Sequence, residues 1–264
     1  MAGMKLANAI IQSLAAAIFV IGGIVFAWRT HPPVFTPALL PLPSFMNPYN
    51  VTSAELGPGA PELAEGMTIP LLYLDPANFL MWGLLLTIWA AVAMDAAGQW
   101  LFPSDRRDLR NGRCRIWPQL VAGLVVLSAA PWFLLDQRDA LLAANGAGMI
   151  LTIWAARRAA RRKRPAVGFV AGWATALFSA TLAGALTGAL SLQTQAVAAL
   201  AILPGTAIGM AAQIWIGPSI GYSTALIWAF CAIALTAMGS DPVIAFAAIL
   251  GISGMAAVLI RAAS

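Results

Sequence analysis

With 264 residues, of which 61% are hydrophobic and 9% charged, the chain is far too apolar for a soluble domain, in which about 25% of residues are charged. Its formal net charge of +5 is concentrated in a few segments, so it indicates membrane topology rather than nucleic-acid binding. Composition therefore argues against a water-soluble enzyme and predicts an all-α, polytopic membrane protein.

Apolar runs long enough to cross about 30 Å of hydrocarbon recur along the whole chain. The first follows Lys5 and is longer than the apolar stretch of a signal peptide, so we expect a retained helix. Polar or proline-containing turns separate the later runs. The pattern predicts a single membrane domain of about eight spans, at about 6–28, 77–97, 116–135, 140–156, 167–190, 196–216, 222–238 and 243–261.

Residues 29–76 form a long proline-rich segment between the first two predicted spans. Proline lacks the amide hydrogen and clashes with the preceding turn, so a continuous helix is excluded here. The segment also carries large apolar side chains that would be costly to leave in water. We expect these side chains to dock on the helix ends or on a partner subunit: Phe35, Leu39, Phe45 and Tyr49.

The stretch from Arg157 to Arg164 contains six basic residues among eight, and a second arginine-rich loop lies at 98–115. Lysine and arginine close to membrane spans are retained on the cytoplasmic side. Both segments are therefore expected to be cytoplasmic, which places both termini inside and residues 29–76 outside. We expect the chain to lie in the cytoplasmic (inner) membrane of a bacterium, with the lipid bilayer as its surroundings.

The helices from Trp117 and from Trp228 follow one plan, in which a span, a short acidic turn and a second span end in Arg-Ala-Ala. This plan suggests that the helices are arranged as hairpin pairs. The first hairpin carries Ala130-Pro131-Trp132 at the outer end of its first helix. There residues 117–156 resemble the SPW repeat, a two-helix membrane unit named for a Ser-Pro-Trp motif, with Ala130 in place of the serine. The resemblance implies architecture and no activity.

The residues that build cofactor and catalytic sites in helical bundles are scarce. His31 is the single histidine and lies in the proline-rich segment, while the two cysteines, Cys114 and Cys231, lie far apart in the sequence. Haem, copper and zinc sites usually need histidine or cysteine on facing helices. Asp95 is the charged residue nearest the middle of a predicted span, and we expect it in the last turn of the second helix. We therefore expect no cofactor, no metal and no enzymatic activity.

Neutral polar side chains inside the predicted spans are the remaining candidates. They could form hydrogen bonds between helices, each of which contributes about 0.6 kcal/mol, or line a path for a neutral solute. Pro204-Gly205 is a candidate break in the sixth helix, where freed backbone groups could meet a ligand. The candidate polar residues are Gln119, Asn145, Thr206, Gln213 and Ser253.

Two functions are compatible with this pattern. The first is a permease- or channel-like component for a small neutral or amphipathic solute. The second is a non-catalytic structural or assembly subunit of a larger membrane complex, bound to other subunits through residues 29–76 and small-residue helix faces. An enzyme acting on lipid is disfavoured, because no set of acid, base and nucleophile is visible.

Overall fold

The computed structural model describes residues 2–30, 79–101, 117–133, 137–162, 164–190, 194–237 and 242–263. Within these ranges the chain forms α-helices and one short 3-10 helix, and no strand occurs, which confirms the all-α class. The helices are α1 (Ala2–Thr30), α2 (Phe79–Leu101), α3 (Trp117–Ala129), α4 (Arg138–Ala160), α5 (Pro165–Leu190), α6 (Thr194–Ile216), α7 (Ile220–Ala237) and α8 (Pro242–Ala263).

Five of these helices, α1, α2, α4, α5 and α8, contain stretches long and apolar enough to cross a membrane. The apolar parts of α3, α6 and α7 are shorter. The chain is thus a helical membrane protein, whereas the number of eight spans and the orientation of the termini stay predictions. Phe35, Leu39, Phe45 and Tyr49, the residues expected to dock on the helix ends or on a partner, lie outside the described residues.

Helix α3 ends earlier than the predicted span. Its α-helical part stops at Ala129, and Ala130–Phe133 continue as a 3-10 helix. Pro131 has no amide hydrogen to donate to the preceding turn, which accounts for the change. The exposed Trp132 ring meets Phe26 of α1 edge to face, with 6.2 Å between ring centroids.

Helix α5 lies at the centre of the bundle and packs against α2, α4, α6 and α7. In its most apolar stretch 83% of the residues are buried, against 28–44% in the other four long apolar helices. It is apolar around its whole circumference, and such a helix is stable only when neighbours surround it. The other elements are therefore arranged around α5.

Glycines bring α5 and α7 into backbone contact. A Cβ atom at Gly168 would lie 2.6 Å from the Ser219 Oγ, one at Gly172 would collide with the Tyr222 carbonyl oxygen, and one at Gly221 with the Pro165 carbonyl oxygen. Small residues at such positions let two membrane helices approach closely and gain dispersion energy. The Thr175 and Tyr222 hydroxyls add a buried hydrogen bond of 2.9 Å between the same helices.

Helix α6 runs without interruption through Pro204, so the structure differs here from the expected break at Pro204-Gly205. Proline removes one backbone hydrogen bond, but tertiary packing holds the helix together. Gly205 lies so close to α5 that an added Cβ would be 2.8 Å from the Ser179 Oγ. The Thr206 hydroxyl donates to the Ile202 carbonyl oxygen at 2.9 Å, which satisfies it within the helix.

The close contact of α5 with α7 predicts opposite effects for two glycine-to-alanine substitutions. Gly172→Ala should lower the free energy of unfolding by about 1–3 kcal/mol, because the new methyl group forces the two backbones apart. Gly98→Ala is the matched control, since a Cβ there meets nothing within 4 Å and alanine favours helix by about 0.5–1 kcal/mol. Denaturant unfolding of the purified protein measures both. Equal stability of the two variants would contradict backbone contact at Gly172.

Candidate functional site

The arginine-rich junction of α4 and α5 defines one end of the bundle, called here the basic end. Arg157 and Arg158 lie in the last turn of α4, and the chain then turns sharply into α5. The amides of Arg162 and Arg164 both donate to the Ala159 carbonyl oxygen, at 2.9 and 3.3 Å. This turn places Arg164 next to the first residue of α5.

Arg164 forms a bidentate ion pair with Asp95 of α2. Its Nε donates to Asp95 Oδ1 at 2.8 Å and its Nη2 to Asp95 Oδ2 at 2.5 Å. The Asp95 side chain is 7% exposed and that of Arg164 is 25% exposed. Since α2 continues to Leu101, Asp95 lies about 9 Å along the axis from the helix end and not in the expected last turn.

Helix α1 joins the same network through Gln12, which is almost completely buried. Its Nε2 donates to Asp95 Oδ2 at 2.8 Å, and its Oε1 accepts a hydrogen bond from Gln99 Nε2 of α2. Gln12, Asp95, Gln99 and Arg164 are called the polar cluster below. It connects α1, α2 and the start of α5 through charge-assisted hydrogen bonds, which are stronger than neutral ones.

A small cavity lies against the polar cluster, on its membrane-interior side. The cavity has a volume of about 10 Å³, enough for about one water molecule, and residues of α1, α2, α3 and α5 line it. Gln12 and Asp95 form its polar wall, and small or aliphatic side chains such as Ala16, Ala91 and Val170 form the rest. Asp95, the ion-pair partner of Arg164, therefore belongs both to the polar cluster and to the wall of this cavity.

Two aromatic side chains lie one helical turn beyond the cavity, one on α1 and one on α5. The rings of Phe19 and Trp173 meet edge to face with 5.8 Å between centroids, and both are buried. Trp173 Nε1 is buried without a hydrogen-bond partner among the described residues. An unpaired buried N–H group costs about 1–3 kcal/mol, so this donor is available to a polar molecule that reaches it.

The polar residues singled out from the sequence do not converge on one path. Asn145 Nδ2 donates to Thr181 Oγ1 at 2.8 Å, which joins α4 to α5. Gln213 donates to the Gly217 carbonyl oxygen and accepts from Ser223, both at 2.8 Å, and so closes the turn between α6 and α7. Gln119 lies partly buried on α3, and Ser253 is exposed on α8. Thr206 is satisfied within α6.

The residues of the polar cluster were not predicted as a site. In the sequence, Asp95 stands out only as the charged residue nearest the middle of a predicted span. Arg164 is one of the six basic residues between Arg157 and Arg164. A signal was present: Asp95 and Gln99 are spaced by four in a helix that is otherwise nearly free of strongly polar residues, so they share one face. Gln12 lies at a similar distance from the basic end of α1. The sequence does not show which residues they contact, because the arrangement of the helices depends on tertiary packing and not on local sequence.

Comparison of the chain with protein-family models, with curated proteins and with solved structures finds no match.

The ion pair predicts thermodynamic coupling between Asp95 and Arg164. Asp95→Asn and Arg164→Gln should each lower the free energy of unfolding by about 1–3 kcal/mol, because each leaves a partly buried charge without its counter-ion. The double variant should lose less than the sum, by about 0.5–3 kcal/mol. Asp139→Asn, at an exposed position in α4, is the control. Strict additivity in denaturant unfolding would show that the two residues do not interact.

Proposed function

We propose that the chain is a permease- or channel-like component of a bacterial cytoplasmic membrane that conducts a small neutral solute. In this proposal the polar cluster is a gate at the cytoplasmic end of the path. The observation that carries the proposal is the cavity lined by α1, α2, α3 and α5, whose wall includes Asp95, the ion-pair partner of Arg164. This path differs from the one expected from the sequence.

The energetics of the ion pair support a switching role. Removing two charges from water is costly, and well-packed apolar residues often stabilise a protein as well as a buried pair does. A contribution to folding stability alone is therefore a poor explanation for an ion pair in so apolar a bundle. Arg164 is partly exposed and lies in a turn, so its guanidinium can exchange Asp95 for water at the basic end.

The walls of the cavity suit a small neutral solute. The closed cavity holds about one water molecule, so a larger solute enters only when the gate opens and the helices separate. Alanine and valine side chains there offer no charge, while Gln12 supplies an amide group and Asp95 a carboxylate at the gate. Beyond the cavity, the Trp173 N–H offers a further donor. A small molecule with both donor and acceptor groups, such as a polyol or an amide, can form hydrogen bonds with Asp95, Gln12 and Trp173 one after another.

The arrangement of the helices supports eight spans with both termini on the cytoplasmic side. Asp95 near the end of α2 meets Arg164 at the start of α5, Arg157 of α4 meets Trp215 at the end of α6, and Gly221 at the start of α7 meets Pro165. Successive helices thus alternate in direction at the basic end. Positive charge is retained on the cytoplasmic side, so this end faces the cytoplasm.

A non-catalytic subunit of a membrane complex is the second candidate. It is favoured by the use of Asn145, Thr206 and Gln213 in local or interhelical hydrogen bonds, which is a structural role. Helix α1 also presents large apolar side chains away from the bundle, among them Leu14, Ile18 and Ile21, which are 46–60% exposed. A neighbouring helix can cover this face as well as lipid can.

Solute flux through proteoliposomes tests the proposed gate. Asp95→Asn removes the charge that holds Arg164, so the shrinkage rate under a gradient of urea or glycerol should rise above that of the original protein. If the pair stabilises the closed state by 1–3 kcal/mol, the rise is about 5- to 150-fold. The exchanged pair Asp95→Arg with Arg164→Asp should restore a low rate, and Asp139→Asn should change nothing.

Solute flux and the composition of the purified protein together separate the two candidates. If the flux equals that of protein-free liposomes for every variant and solute, the proposal of a permease is wrong. The remaining candidate is then a non-catalytic subunit of a membrane complex. In that case purification from native membranes in mild detergent should yield a second chain in fixed stoichiometry.

A further inference from the structure

Two arginines at the basic end are held over tryptophan rings on the outer face of the bundle. The Arg157 Cζ lies 4.1 Å from the ring centroid of Trp215 on α6, and the Arg158 Cζ lies 5.2 Å from that of Trp154 on α4. Both tryptophans are 45% exposed. The first contact crosses from one helix to another, so Arg157 is held at the junction of α4 and α6, while Arg158 is held on the exposed face of α4.

The surface next to these arginines changes from apolar to aromatic to cationic. Ile150, Trp154 and Arg158 are spaced by four and share one face of α4, where Ile150 is 59% exposed. On α6 the half-exposed Trp215 lies next to Arg157. A phospholipid presents the same order of chemistry, from acyl chain through glycerol ester to phosphate, and tryptophan is enriched at the level of the ester groups.

The charge at this place matches an anion. Arg157 and Arg158 both carry a positive charge, while the nearby carboxylate of Asp95 already accepts two hydrogen bonds from Arg164. An arginine stacked on an indole still offers N–H donors at the edge of its guanidinium plane. Such donors bind phosphate oxygens in pairs, with a geometry that lysine cannot reproduce.

We propose that Arg157, Arg158, Trp154 and Trp215 form a binding site for one anionic phospholipid of the leaflet at the basic end. The guanidinium groups bind the headgroup phosphate, the indole rings pack against the glycerol ester region, and the acyl chains lie along the face of α4 that carries Ile150. The site is independent of solute conduction, so it stands whether or not the chain is a permease.

A general attraction between basic residues and an anionic membrane surface, worth about 1 kcal/mol per residue, is the competing explanation. That attraction depends on charge and not on the identity of the cation. Replacement of Arg157 and Arg158 by lysine keeps the charge and removes the paired donors and the stacking. It therefore separates a built site from surface attraction.

Native mass spectrometry of the full chain in detergent, titrated with phosphatidylglycerol or phosphatidylcholine, measures the binding. The original protein should retain one phosphatidylglycerol and bind it more tightly than phosphatidylcholine. The Arg157→Lys, Arg158→Lys double variant should bind it at least about tenfold more weakly, and Trp215→Leu should also weaken it. Arg161→Lys is the charge-matched control and should bind as the original does.

Three results would overturn the proposal: equal affinity for the two lipids, unchanged affinity in the double lysine variant, or equal weakening in the Arg161→Lys control. Thermal unfolding in lipid-free detergent checks that each variant is folded. The lysine variants keep charge and length nearly constant at exposed or partly exposed positions, so their folding is not expected to change.

Discussion

Lipid tails are as apolar as leucine, so helices inside a membrane gain little hydrophobic free energy by leaving lipid for one another. Close packing must supply the stability instead, and in this bundle it does so around α5. Gly168 and Gly172 let α7 approach at backbone distance, and Gly205 lets α6 approach the Ser179 side chain of α5. The buried Trp173 and Leu177 fill the remaining space. The positions of the other helices follow from this contact surface.

Several polar side chains inside the bundle form hydrogen bonds to a nearby partner. Asn145 meets Thr181, Tyr222 meets Thr175, and Gln213 meets both Ser223 and the backbone. These bonds specify which helices are neighbours. The polar cluster differs from them because it carries full charges and lies beside a cavity. It also lies at the one place where α1 and α2 reach the start of α5, so a change in the ion pair would alter three helices together.

The sequence predicted the all-α class and the approximate helix bounds, because long apolar runs and their polar breaks are local properties. It could not predict which helix is central. Helix α5 is apolar on all sides and has no stripe to indicate a partner, although the spacing of Gly168 and Gly172 was an available signal. The chemistry of proline alone predicted a break at Pro204. The helix nevertheless continues through it, and Gly205 packs against α5 there. Ser253 was chosen for its polarity, but its face of α8 lies outside the bundle.

The central claim, that the Asp95–Arg164 pair seals the cavity from the basic end, is tested most directly by cysteine accessibility. Ala91 lines the cavity one turn inside Asp95 and is buried, so Ala91→Cys is the reporter, in a chain whose native cysteines are replaced by serine. A membrane-impermeant maleimide is applied to membranes from the basic-end side. The cysteine should resist labelling while Asp95 is present and react readily once Asp95→Asn is added. Equal labelling in the two backgrounds would contradict the claim.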